Sequence, residues 1–142
     1  MDFDSTEILL IIENKIEISL TNNILSVQLF EESLTIEDTN KMFDILDKFF
    51  DSCKKNNTYF YLLYDFSQLS ITSSSNLIYN SSIYQNHFNK HNSIFYHNIK
   101  SLCIIIKNYT LRESLNSILY LYKPETKINI VENFEDTNKF FL

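Results

Sequence analysis

Apolar and polar positions change period along this chain, and the changes mark out its elements. Ile16, Ile18 and Leu20 alternate with Glu17 and Ser19, the period of a strand with one buried face. The apolar run 7–13 precedes them across Asn14-Lys15, and 24–30 (ILSVQLF) follows across Asn22-Asn23. Two short polar turns between three β-rich runs predict an antiparallel meander over 7–30. The period then lengthens. Ile36, Met42 or Phe43, Leu46, Phe49 or Phe50 and Cys53 recur at steps of three and four, while Glu37, Asp38, Asp44, Asp47 and Asp51 are expected to face elsewhere. Thr35 with Asp38 resembles a capping box, and Lys54-Lys55 complement the dipole at the far end, so an amphipathic helix of about 18 residues is predicted.

Three unbroken apolar runs come next: 58–64 (TYFYLLY), 101–106 (SLCIII) and 128–131 (INIV). Runs without alternation belong to strands covered on both faces. Helical segments are predicted between them at 73–90 and 111–122, the second starting at the capping box Thr110–Glu113 and closing at Pro124. A last short helix is expected from Asn133, anchored by Phe134, Phe140, Phe141 and Leu142. The order β-β-β-α-β-α-β-α-β-α implies an α/β fold whose mixed sheet is antiparallel at its start and mostly parallel afterwards. No linker or repeat interrupts it, so residues 1–142 are read as one domain.

Composition removes several chemistries. The chain has no Gly, no Trp, no Ala and one Pro, with Ile, Asn, Lys, Tyr and Phe in excess. That bias follows AT-rich codons and points to an AT-rich genome, such as that of a parasite, a protist or a large virus of a protist. Without Gly, phosphate-binding loops, dinucleotide fingerprints and nucleophile elbows are excluded. Asn, Asp and Ser must supply the left-handed turn positions instead.

The net charge of -6 is uneven, with twelve acids against three bases in 1–52 and three acids against eight bases in 53–130. A globally acidic chain is a poor nucleic-acid binder, although the basic middle can offer a face to an anionic partner. Cys53 and Cys103 each lie in an apolar run and read as reduced core residues. The acidic start MDFDSTE does not look like a signal peptide, and ILLII is too short to span a membrane. The expected location is cytoplasmic, in the host cytoplasm if the source is viral.

The stretch 59–77 is a predicted buried strand, an acidic turn and a serine run opening a helix. With the element order, it resembles the STAS domain (the anti-sigma-factor-antagonist fold) and the broader SpoIIAA-like group. That family has a strand followed by a pattern like D-L-S-G-V-x-x-I-D-S-S-G-L and then a helix. Here Asp65, Ser67, Ser74, Ser75 and Leu77 match, while Ser73 stands in place of the family's Asp and Gln68 and Asn76 in place of its Gly residues. The resemblance implies a regulatory module without catalysis, binding a protein partner around Asp65, Ser67, Ser73, Ser74, Ser75 and Asn76, with Ser74 as phospho-acceptor. Self-association is compatible with it. Read from the residues alone, the serines can equally be plain N-caps. Asp65 can simply cap its own turn, and Arg112 can be a surface charge beside Glu113. His87 and His91 share a helical spacing but lack acidic or thiol neighbours, so with His97 they read as surface residues, and no metal or other cofactor is expected. A different class of function, a small-molecule or lipid-binding domain, follows from the likeness of SpoIIAA-like folds to lipid-exchange proteins, with the aromatic segment 77–88 as a lid.

Overall fold

The structure, a computed structural model, describes residues 6–30, 34–68, 98–113, 116 and 128–141. Three strands come first: β1 (Thr6–Ile12), β2 (Ile16–Thr21) and β3 (Ile24–Leu29). Helix α1 (Ile36–Asn56) follows, then β4 (Phe60–Asp65), β5 (Ile99–Ile105), β6 (Ile128–Val131) and a 3-10 helix, Phe134–Phe140. The six strands form one sheet in chain order, β1-β2-β3-β4-β5-β6. β1, β2 and β3 pair antiparallel. β3 to β6 pair parallel throughout. The mixed sheet predicted from the change of period is therefore present. The chain-order arrangement is a further fact that periodicity does not contain.

The turns are made as a chain without Gly must make them. Asn14, Asn22 and Asn57 have positive φ, at 61°, 55° and 51°. Asn tolerates this region because its short amide bonds locally. Asn22-Asn23 is the expected two-residue turn, since Thr21 pairs with Ile24. The first turn is longer than Asn14-Lys15. Ile12 pairs with Ile16, so Glu13, Asn14 and Lys15 form the loop, closed by the Lys15 N–H donating to the Ile12 carbonyl at 2.9 Å.

The larger core lies between α1 and one face of the sheet. Met42, Phe43, Leu46, Phe50 and Cys53 of α1 pack with Ile16, Ile18, Leu25, Val27, Leu29, Phe60, Leu62, Tyr64, Leu102 and Ile104. Phe50 stacks on Phe60 with centroids 5.7 Å apart, and Phe49 meets Phe60 edge-on at 5.1 Å. Truncating a buried Phe of this kind costs about 3–5 kcal/mol. Ile36, placed by periodicity on the apolar face, is 63% exposed instead. It is the first residue of α1, and the buried stripe begins after it, at Asp38 and Thr39.

A smaller core covers the opposite face. Leu63, Cys103, Ile105 and Val131 are buried there, with Ile24, Phe140 and Phe141 packed on them. Phe141 also meets the Tyr61 ring at 5.4 Å. Among the described residues, the 3-10 helix and Phe141 cover this face of the parallel strands, whose unbroken runs predicted burial on both sides. On the antiparallel half this face carries Glu17, Ser19, Ser26 and Gln28, all half-buried.

Helix α1 begins as its sequence predicts. The Thr35 hydroxyl accepts from the Asp38 N–H at 3.0 Å, and Asp38 Oδ2 accepts from the Thr35 N–H at 3.1 Å. Asp38 does not face solvent, as the polar pattern suggested. It is buried, because Lys15 Nζ from the first turn donates to the same Oδ2 at 2.9 Å. This pair ties the β1–β2 turn to the start of the helix. It also holds the Asp38 carboxyl below its ordinary value, with the Lys15 hydrogen bond as the main cause.

Candidate functional site

The candidate site lies at the carboxyl end of the parallel strands, where ligand and partner sites of α/β folds gather. β4 ends there at Asp65, paired with Gln28 of β3 on one side and Ile105 of β5 on the other. The chain leaves the sheet through Phe66, whose N–H still donates to the Ile105 carbonyl at 2.9 Å. The Ser67 N–H then donates to Asp65 Oδ1 at 3.0 Å. Asp65 is therefore the first residue of an Asx turn, the simpler of its two sequence readings. The carboxylate orients the peptide that leads into the serine-rich stretch. Both Asp65 and Ser67 are half-buried, and Gln68 is exposed. Ser73, Ser74, Ser75 and Asn76 lie outside the described residues, as do His87, His91, His97 and the segment 77–88.

Next to this turn, β5 ends in a second polar arrangement. Asn108 caps the following helix, its Oδ1 accepting from the Leu111 N–H at 3.0 Å and its carbonyl from the Arg112 N–H at 3.0 Å. Helical residues run from 109. The predicted start at Thr110 is two residues late, because Asn caps at least as well as Thr and stands first in the chain. Arg112 is not the surface charge expected. Its side chain is 19% exposed, and Nη1 donates to the carbonyls of Ile106, at 3.0 Å, and Lys107, at 2.8 Å. Those carbonyls lie just beyond the end of β5, and the guanidinium satisfies them. Glu132, just past β6, stands 4.0 Å from the same Nη1. The guanidinium thus ties the end of β5 to the chain leaving β6. Tyr109 lies beside it, its ring centroid 5.8 Å from the guanidinium carbon.

The described basic residues of the middle section divide between the two ends of the sheet. Lys54 and Lys55 end α1, and Lys100, at the start of β5, sits over the exposed Tyr59 ring at 5.5 Å. These stand at the amino end of the parallel strands, whereas Lys107 and Arg112 stand at the carboxyl end with Asp65. Asn98 was not singled out by the sequence. It is only 4% exposed. Its amide donates to the carbonyls of Cys53, at 3.4 Å, and Thr58, at 3.1 Å. Its own carbonyl accepts from the Phe60 N–H at 2.9 Å. One buried amide therefore joins the end of α1 to the starts of β4 and β5. Nothing in the local pattern singles out one Asn among so many.

Both cysteines are free and buried, on opposite faces of the sheet. Burial pushes the Cys103 thiol up to about 11 and raises Cys53 as well. Buried thiols of this kind react slowly. Among the described residues no group of three or more His, Cys, Asp and Glu side chains could hold a metal ion, and no helix is long and apolar enough to cross a membrane. No family model, curated protein or solved structure matches the chain.

Proposed function

We propose that this chain is a regulatory protein–protein interaction module of STAS-like type, with no catalytic role. It receives a protein partner at the carboxyl end of its parallel strands, around Asp65 and Ser67 and the following Ser73, Ser74, Ser75 and Asn76. The observation that carries this reading is the Asp65 turn. It sits at the carboxyl end of a strand paired parallel on both sides, at the chain position where the family pattern has its acid. The antiparallel-then-parallel order of the sheet supports it too. A ligand group arriving here would meet exposed Gln68 and Lys107, which offer hydrogen bonds and a charge, and among the described residues no assembled nucleophile and base. In this reading Ser74 is the residue whose phosphorylation switches the partner. A phosphate would add about -1.5 to -2 charges to the serine-rich stretch.

The test is quantitative capture from the native cell with the wild-type protein, Ser74→Ala, Ser74→Glu and Asp65→Lys as baits. A partner recovered with the wild type and Ser74→Ala, and reduced about tenfold or more with Ser74→Glu or Asp65→Lys, supports the reading. Equal recovery with all four baits removes this surface from the account.

A further inference from the structure

The two cores of the sheet are closed by unequal covers. The larger lies under α1, which is fixed at its start by the capping box and by the Lys15–Asp38 pair. The smaller, made of Leu63, Cys103, Ile105 and Val131, is closed among the described residues by the segment that follows β6. Phe140 and Phe141 of that segment pack on it, and both rings are only half-buried.

This segment is bonded to itself and not to the sheet. The Asp136 N–H donates to the Asn133 carbonyl at 3.1 Å, and the Phe141 N–H to the Asn138 carbonyl at 3.4 Å. Thr137 is 1% exposed, yet its hydroxyl donates to the Phe134 carbonyl at 2.6 Å. Lys139 sits over the neighbouring Phe140 ring. Among the described residues, no hydrogen bond or ion pair joins residues 133–141 to a strand. The helix is of the 3-10 kind over seven residues, longer than that geometry usually runs, and Asn133 gives it no side-chain cap. What holds it down is apolar contact, chiefly of two aromatic rings. That contact is of the same order as the conformational entropy of the residues it fixes.

We propose that residues 133–141 form a strap that opens as one unit, baring the apolar face of β4, β5 and β6 while α1 and its core stay folded. Elements with few buried contacts and no polar ties open at free energies below that of global unfolding. Because the strap's hydrogen bonds close within it, leaving the sheet breaks none of them, so release in one piece is favoured over fraying residue by residue. Leu63 stands two residues before Asp65 in β4 and so on the same face of that strand. Opening therefore uncovers an apolar surface next to the candidate site.

The two cysteines serve as internal reporters. Cys103 is 0% exposed beneath the strap, and Cys53 is buried in the larger core on the opposite face. The experiment labels the full chain with an aromatic disulfide reagent at pH 8 and reads each cysteine separately by peptide mass spectrometry. Phe141→Ala removes one of the two covering rings, and is expected to speed Cys103 about tenfold while leaving Cys53 within about twofold of the wild type. In the wild type, urea below the unfolding transition should change the Cys103 rate little, because opening the strap exposes a small area. This second readout stands even if Phe141→Ala fails to fold. A Cys103 rate that follows global unfolding across the urea series overturns the proposal, as does a folded Phe141→Ala that speeds both cysteines alike or neither.

Discussion

Replacing Asp38 by Ala should destabilise the protein by about 2 kcal/mol at neutral pH. The figure comes from two losses at one carboxylate. Oδ2 accepts from the Thr35 N–H and so completes the capping box, and loss of such a cap costs about 1 kcal/mol. The same oxygen accepts from Lys15 Nζ at 2.9 Å. A hydrogen bond between charged groups contributes about 1.5–3 kcal/mol when fully buried. The Lys15 side chain is 25% exposed, so solvent screening brings that share to about 1 kcal/mol. For a chain of this size the total lowers the melting temperature by about 6 °C. Asp38→Asn can keep the cap acceptor and lose only the charge, so it should fall about halfway.

The pH dependence gives a second, independent reading of the same pair. The Asp38 carboxyl is held below its ordinary value in the fold. Its stabilisation is therefore present in full above the unfolded value of about 4, and is lost as pH falls through the lower folded value. Urea unfolding of the wild type and Asp38→Asn, followed by circular dichroism from neutral pH downward, should show a gap that narrows below about pH 4. A gap under about 0.5 kcal/mol for Asp38→Ala, or one that does not change with pH, would refute the claim that this carboxylate ties the first turn to the helix.

Three further experiments probe a polar joint, a turn and the buried thiols. Arg112→Ala, which leaves the carbonyls of Ile106 and Lys107 without their donor, should cost about 1–2 kcal/mol in urea unfolding, and Arg112→Lys should recover only part of it because an ammonium cannot reproduce the planar fork. Asn57→Ala should cost about 1 kcal/mol because Ala resists the left-handed conformation at φ 51°, whereas Asn57→Gly should be neutral or slightly stabilising; thermal melts distinguish them. Cys53 and Cys103 should react with an aromatic disulfide reagent at pH 8 about a hundredfold more slowly than a small thiol, and become equally reactive in denaturant.

Much of the fold was legible because it is written in local periods. The alternation of Ile16 to Leu20, the three- and four-residue steps of α1 and the unbroken runs of β4, β5 and β6 each correspond to an observed element. The absence of Gly correctly pointed to Asn at the left-handed turns. What escaped was nonlocal or a choice between equals. Asp38 looked solvent-facing because its partner, Lys15, is 23 residues away. Arg112 looked like a surface charge because the carbonyls it satisfies become a site only once β5 ends beside it. Asn108 displaced Thr110 as the cap because two good capping residues compete within three positions. Asn98 had no signal at all. At the candidate site, the Asx turn of Asp65 was readable from residue type and position, because such turns need only the residues that form them.

The central claim is that a partner docks at the carboxyl end of β4 and that Ser74 switches it. The most direct measurement is capture from the native cell with mass spectrometry, read for phosphate on residues 70–75 and for partner recovery by wild-type, Ser74→Ala and Ser74→Glu baits. The account predicts phosphate on Ser74 and a discrete partner held by wild type and Ser74→Ala but released by Ser74→Glu. An unphosphorylated stretch, together with identical partner recovery from all three baits, would contradict it.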